Sequence, residues 1–210
     1  MYLHRTRLAP GLGKTPEVRR LLTEHVQYLQ GQGQRLTLSE RIFSSERPTL
    51  IVSHLANELD EVERVRRGRL TDPDFQARAA QVVALCADPP RSSLWESVIE
   101  VPPGMPPTTI GQLVFFFPAQ GKISQLEKAL SEVSRELQKM GERTSLWRRL
   151  YSSDGPMFQS LSRYVDLADL DRARKASASL IEQRGPSVIE LSRAPVQRRL
   201  TETIVPLPAA

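Results

Sequence analysis

Residues 8–14 read LAPGLGK, and residues 116–122, which lie 108 positions later, read FFPAQGK. Both stretches place a proline, a glycine and a lysine at the same distances after an apolar residue. The same shift aligns the two halves of the chain without a gap for most of their length. The clearest further matches are FSS at 43–45 with YSS at 151–153, and ELDEVER at 58–64 with DLADLDR at 166–172. The 210-residue chain is therefore predicted to contain two copies of one module in tandem.

The end of the repeat predicts where the two copies meet. A small offset enters there, so that the segment ending at Pro102 aligns with the segment ending at Pro208 at a shift of 106. Residues 102–107 read PPGMPP, and proline denies the backbone both helical and sheet hydrogen bonds. Such a stretch is typical of a short, stiff linker. We predict a first module over 1–101, a proline-rich linker over 102–108 and a second module over 109–210.

Apolar periodicity predicts the same order of elements in both copies. Residues 16–30 and 124–140 carry apolar residues at helical spacing, and each stretch ends at a glycine. Residues 35–43 and 49–55 read as the two strands of a hairpin. The other predicted elements of the first copy are strands at 2–9 and 94–101, a helical stretch from 59 and another over 75–85; the second copy opens with a strand at 110–117. The order β-α-β-β-α-β is that of a ferredoxin-like sheet with its helices on one face.

The apolar character of one predicted strand indicates that both faces of its sheet are buried. Residues 113–117, LVFFF, are apolar at every position, whereas a sheet covered on one face should alternate apolar and polar residues. Both faces are therefore predicted to be buried, one by helices and the other by the sister sheet. The matching strand of the first copy is more polar, with Arg5 and Arg7 in place of Leu113 and Phe115. The predicted fold class is α+β: two tandem ferredoxin-like modules whose antiparallel sheets pack face to face as an intramolecular α/β barrel.

The first copy also resembles a known family. Its motifs are SHL at 53–55, ELDEVER at 58–64, RR at 66–67 and DPDF at 72–75. With them, residues 33–85 resemble the NIPSNAP-like proteins of the dimeric α/β-barrel superfamily, and LAPG at 8–11 is similar to that family's first-strand ending. Two features depart from the family: Ala56 replaces a frequent aromatic residue, and the second copy lacks the Asp-Pro element. The resemblance implies a superfamily that includes cofactor-independent monooxygenases, small isomerases, haem-binding enzymes and proteins without known chemistry.

The composition argues against several classes of partner. The net charge is +5, but acidic and basic residues are interleaved, as in residues 58–67, and no aromatic residues alternate with basic ones. Specific nucleic-acid binding is therefore not expected. No apolar run approaches the roughly 18 residues of a membrane span, and residues 1–7 do not resemble a signal peptide. We expect a cytoplasmic protein without a membrane partner, and the formation of a homo-oligomer stays open.

Motifs for metal and nucleotide chemistry are missing from the sequence. None of the three histidines forms a His-x-x-x-His pair, and the single cysteine, Cys86, is too little for a thiolate site. We therefore predict no metal site. The stretch GLGK at 11–14 is too short for a phosphate-binding loop and lacks the following Ser or Thr. No cofactor is expected on these grounds.

Individual residues nevertheless suggest a site. His54, at a predicted strand end, is the candidate general acid or base because histidine titrates near neutrality, and Glu40 is its candidate polar partner. Arg5 and Arg7 share one face of a strand and could hold an anion. The candidate cavity-lining residues of the second copy are Trp147 and Tyr151, together with Tyr164. Each has a structural alternative: a buried histidine satisfied by backbone, a wetter sheet edge and core aromatic residues.

Two function hypotheses follow. The first is a small-molecule enzyme with its pocket between one sheet and its helices, which oxidises or rearranges an aromatic or polyketide-like substrate without a metal. The second is a non-enzymatic binding or interaction scaffold. A cavity of roughly 300 Å³ or more with converging polar groups favours the first, and a filled interior with an exposed apolar patch favours the second. The expected ligand is small and either hydrophobic or anionic.

Overall fold

The structure is a computed structural model that describes residues 1–43, 47–102, 108–150 and 156–208. These residues form eight strands and six helices. The elements of the first copy are β1 (Tyr2–Leu8), α1 (Thr15–Gly31), β2 (Leu36–Ile42), β3 (Leu50–Ala56), α2 (Leu59–Thr71), α3 (Pro73–Ala84) and β4 (Arg91–Ile99). Those of the second copy are β5 (Ile110–Phe116), α4 (Ile123–Lys139), β6 (Arg143–Arg149), β7 (Phe158–Tyr164), α5 (Leu167–Ala176), α6 (Ala178–Glu190) and β8 (Gln197–Val205).

The strand order confirms the predicted fold class. The strands are hydrogen-bonded in the order β1-β3-β2-β8-β5-β7-β6-β4, which closes an antiparallel barrel. The predicted hairpin is present as β2 paired with β3, and β6 pairs with β7 in the same way. The register is itself repeated: Tyr2 lies opposite Ala56 in the first copy, and Ile110 lies opposite Tyr164 in the second. Each residue of the second pair lies 108 positions after its equivalent in the first pair.

Contacts divide the chain into two compact units. The first unit is Met1–Leu94 with Glu202–Ala210, and the second unit is Trp95–Thr201. The last strand of each copy, β4 or β8, thus begins in one unit and ends in the other. Most of the predicted linker, residues 103–107, lies outside the described residues. The boundaries 1–101 and 109–210 therefore stay predictions of where the repeats meet along the chain.

Helix starts follow from short-range hydrogen bonds. In the DPDF motif, a side-chain oxygen of Asp72 accepts hydrogen bonds from the backbone nitrogens of Asp74 and Phe75, at 3.0 and 3.1 Å. These bonds satisfy two of the free donors at the beginning of α3, and Pro73 supplies a preformed first turn. Helix α5 starts on Asp166, whose side chain accepts from the backbone nitrogen of Asp169 at 2.7 Å.

A half-buried glutamine of the first long helix is hydrogen-bonded to the ends of two other segments in each unit. The side-chain nitrogen of Gln30 donates to the carbonyl oxygens of Leu36 and Pro206 at 2.8 and 2.7 Å. Its equivalent, Gln138, donates to the carbonyl oxygens of Thr144 and Glu100, both at 2.8 Å. The partners differ by the same 108 and 106 positions that align the sequence. The sequence repeat is thus also a repeat of specific contacts.

Each unit packs its first long helix on its sheet. In the first unit α1 buries Val18, Leu22, Val26 and Leu29 against Leu36, Leu38 and Leu50. In the second unit α4 buries Leu126 and Leu130 against Leu146, Phe158 and Val188. The apolar residues at helical spacing therefore form the core, as the sequence predicts. Among the described residues, no helix combines the length and the apolar character that a bilayer crossing requires.

Two matched glycines allow a test of the repeat's helix ends. Gly33 and Gly141 follow α1 and α4 at equivalent positions, with positive φ values of 82° and 87°. A side chain is disfavoured there, so Gly141→Ala should lower the free energy of unfolding by about 1–2 kcal/mol. The control Gly68→Ala, inside α2 with open space around it, should instead raise it by about 0.5–1 kcal/mol. Urea unfolding measures both, and equal signs would contradict the prediction.

Candidate functional site

A cavity of about 600 Å³ lies between the sheet and the helices of the second unit. Its sheet side is formed by alternate residues of β5, namely Gln112, Val114 and Phe116. The intervening Leu113 and Phe115 lie on the opposite face of the strand, because successive side chains of a strand alternate. The apolar walls are completed by Leu130, Val133 and Leu137 of α4 and by Ile181, Val188 and Ile189 of α6.

Two polar side chains that line this cavity, Glu142 and Tyr164, are hydrogen-bonded to each other. The hydroxyl of Tyr164 donates to Oε2 of Glu142 over 3.1 Å. Burial raises the pKa of the Glu142 carboxyl, and the hydrogen bond from Tyr164 partly opposes that change. Burial, followed by the charge of Glu142, also raises the pKa of Tyr164, which is 4% exposed. The pair therefore combines a carboxylate of increased basicity with a phenol that keeps its proton at neutral pH.

A row of hydroxyl groups crosses the sheet beneath the cavity. Ser162 donates to Oγ1 of Thr144 at 3.0 Å, and Thr144 and Ser160 share a hydrogen bond of 3.2 Å. Ser160 and Ser162 line the cavity, whereas Thr144 is completely buried. Each hydroxyl can rotate to donate or to accept. Ser160 and Ser162 can therefore form hydrogen bonds with a carbonyl or a hydroxyl group of a bound molecule.

The first unit carries larger side chains at the positions that correspond to residues lining this cavity. At a shift of 108, Gln112, Val133, Ser162 and Ser177 of the second unit correspond to His4, His25, His54 and Arg69. The correspondence is supported by a shared contact. Arg69 donates to the side-chain oxygen of Gln34 at 2.7 Å, and Ser177 is hydrogen-bonded to the matching Glu142. The cavity of the second unit therefore lies where smaller side chains occupy positions that carry histidine or arginine in the first unit.

The three histidines of the first unit have pKa values below the usual value for histidine. Burial, followed by the positive charge of Arg69, lowers the pKa of His25 and of His54 to about 4. The same two causes lower the pKa of His4. Neither ring nitrogen of His54 has a hydrogen-bond partner within the described part of the chain. The ring of His25 lies 4.9 Å from that of Phe75, centre to centre. All three histidines of the protein are therefore neutral at neutral pH.

The predicted catalytic pair is not brought together. His54 lies opposite Leu36 and Glu40 opposite Leu50, on the same hairpin. The two are thus four residues apart along the sheet, about 13 Å. Glu40 instead forms an ion pair with Arg19 of α1. The catalytic roles of His54 and Glu40 stay predictions.

Most of the predicted binding residues do not line the second-unit cavity. Arg5 and Arg7 alternate along β1 and share a face, and Arg5 is 6% exposed. Trp147 is buried, and its indole nitrogen donates to the hydroxyl of Ser145 at 2.9 Å. Tyr151 lies outside the described residues. Of the described candidates, Tyr164 lines the cavity. Arg5, Arg7 and Trp147 do not line it, and their binding roles stay predictions.

Glu142, Ser160 and Ser162 were missed because none belongs to a recognised motif. Tyr164 was considered only as an aromatic residue, without its carboxyl partner. The sequence does contain a signal: the second copy carries a serine in place of the strand residue His54 and a valine in place of the helix residue His25. The smaller side-chain volume of the second copy at these positions marks the cavity. Within the described ranges, no three metal-ligating side chains converge on one point.

Comparison with known proteins identifies the fold. No protein-family model and no curated protein matches the chain. A candidate monooxygenase from Fusobacterium nucleatum is similar in structure, with 11% identity, a TM-score of 0.74, and coverage of 97% of this chain and 92% of that one. Another candidate monooxygenase, from Lactobacillus acidophilus, has 10% identity, a TM-score of 0.67 and coverage of 96% and 93%.

The group that the sequence resembles is also among the similar structures. A NIPSNAP domain protein from Burkholderia xenovorans shares 18% identity over 51% of this chain and 99% of that one, with a TM-score of 0.40. At identities this low, the two better-superposed structures establish a common fold. The chain has the ferredoxin-like α/β-barrel fold that these structures share, with both repeats in one polypeptide.

Proposed function

We propose that the protein binds a small, mostly apolar molecule in the second-unit cavity. The observation that carries this proposal is a cavity of about 600 Å³ with apolar walls and a few converging polar groups. Cavities of roughly 300–1,000 Å³ with this type of lining are typical of small-molecule sites. The hydroxyl row of Ser160 and Ser162 orients a polar atom of the ligand, while Val133 and Ile181 contact its apolar body.

The chemistry that fits this site is proton transfer. Glu142 accepts a proton from an acidic C–H bond of the ligand, and the bonding electron pair stays on the ligand. Hydrogen bonds from the serine hydroxyls then stabilise the resulting anion. This step is common to an isomerase and to a cofactor-independent monooxygenase, in which the anion reacts with dioxygen. The two candidate monooxygenases of similar fold support this type of reaction.

A non-enzymatic binding scaffold is the second candidate. It is favoured by the hydroxyls of Thr144, Ser160 and Ser162, which already satisfy one another across the sheet. Proton exchange separates the two candidates. If the ligand is turned over, Glu142→Gln should keep its binding but stop deuterium incorporation from D₂O. A scaffold shows binding without exchange in either protein.

Binding itself is tested by filling the cavity with the first unit's own residues. The double variant Val133→His/Ser162→His should weaken the binding of 2-naphthol by about tenfold or more, because two imidazole rings would occupy the apolar space. Isothermal titration calorimetry measures the dissociation constant. Ser124→His, on the exposed side of α4, is the control and should bind as the wild type does. No binding by the wild type, or equal binding by the filled variant, would refute the proposal.

A further inference from the structure

Positively charged side chains surround the open side of the second-unit cavity. Arg174 of α5, Arg184 of α6 and Arg198 of β8 all line it, and one carboxylate, Glu182, accompanies them. All four residues are exposed. We refer to these four residues as the mouth. The residues deeper in the cavity are buried, among them Tyr164 and Val188.

The charges at the mouth are only partly balanced. Arg184 donates to Glu136 over 3.1 Å and is thereby neutralised. Arg174 and Arg198 form no ion pair within the described part of the chain, and the carboxylate of Asp171 near Arg174 is already paired with Lys175 at 2.7 Å. At the mouth, two guanidinium groups without an ion pair thus accompany one carboxylate, Glu182, which leaves an excess of about one positive charge there. The other carboxylate that lines the cavity, Glu142, is half-buried and hydrogen-bonded to Tyr164.

We infer that the ligand of this cavity is an amphipathic carboxylic acid, with its apolar body inside and its carboxylate between Arg174 and Arg198. This inference rests on the proposed function, because it assigns a substrate class to the same cavity. A planar guanidinium group pairs well with a carboxylate. A single negative charge matches the excess at the mouth, whereas a phosphate monoester would bring nearly two. The apolar walls cover the rest of the molecule.

The inference is tested with two probes of equal chain length, decanoate and decanol. Calorimetry at neutral pH should show decanoate binding about tenfold more tightly than decanol to the wild type, since exposed ion pairs each contribute little. Arg174→Gln/Arg198→Gln should abolish this preference and leave decanol binding within about twofold. Added salt should reduce the preference in the wild type.

A matched control keeps the test specific. Lys128→Gln/Arg135→Gln removes two exposed positive charges from α4 that do not line the cavity. It should retain the preference for decanoate. Equal affinities for both probes in the wild type would overturn the inference and leave the proposed function standing. Failure of both probes to bind would overturn the inference, and failure of 2-naphthol to bind as well would overturn the proposed function. Loss of the preference in the control would show a nonspecific charge effect and also overturn the inference.

Discussion

Replacing Phe158 with alanine should lower the free energy of unfolding by about 3–5 kcal/mol. Phe158 is completely buried and is the largest such side chain among the residues that the structure describes. It contacts the core of the second unit that contains Leu126, Leu146 and Val188. Removing the ring loses its transfer free energy and leaves a void that a β-strand cannot collapse to fill. A loss of this size is a large part of the stability of a typical domain.

The reporter and the control for this prediction are both in the chain. The two tryptophans, Trp95 and Trp147, lie in the second unit with Phe158, so their fluorescence follows its unfolding in urea. The control is Phe43→Ala, which removes the same ring from a position that is 79% exposed. It should change the free energy of unfolding by about 0.5 kcal/mol or less. Similar losses in both variants would contradict the assigned core.

Acidification should destabilise the protein through its histidines. Unfolded histidine takes up a proton as the pH falls below 6.5, whereas burial and Arg69 keep folded His54 neutral until about pH 4. The unfolded state therefore binds more protons throughout that interval, and stability is lost as the pH falls from 6.5 to 4. For His54, which is 2% exposed, the loss reaches about 3 kcal/mol. Half-buried His25 adds a smaller loss in the same direction.

The variant His54→Leu isolates this effect. Urea unfolding followed by circular dichroism at several pH values between 7 and 4 should show a pH dependence that is flatter by about 3 kcal/mol than in the wild type. Ser162→Leu, at the equivalent position of the second copy, changes packing without removing a titrating group and should keep the wild-type pH dependence. An unchanged pH dependence in His54→Leu would contradict the prediction, because it would show that the pKa of this histidine is the same in the folded and unfolded states.

The secondary structure was predictable because its causes lie close together in the chain. The predicted strand at 2–9 differs from the observed Tyr2–Leu8 by one residue at its end. The predicted helix at 124–140 differs from the observed Ile123–Lys139 by one residue at each end. The all-apolar segment 113–117 correctly indicated a strand used on both faces. Val114 lines the cavity on the helix side, and Phe115 lies near Trp95 on the other, with ring centres 6.5 Å apart.

The position of the cavity was less predictable, because residue type does not report on the space between side chains. Histidine and arginine are common in catalytic sites, which points to His54, Arg5 and Arg7 in the first copy, and their roles stay predictions. In the structure the histidines fill space in the first unit, and the cavity opens in the second unit beside Glu142 and Tyr164. A cavity is a difference in volume between side chains from several elements. No single segment of the sequence contains that difference.

The number, type and order of the elements, and their duplication, follow from the amino-acid sequence, because helix starts, glycine turns and apolar periodicity depend on residues a few positions apart. Three-dimensional packing was needed to show that β4 and β8 each end in the other unit and that the second copy contains the cavity. Both features depend on contacts between distant residues, such as the hydrogen bond from Gln30 to Pro206, 176 positions away. Local patterns carry no information about partners at that separation, and only the folded chain brings them together.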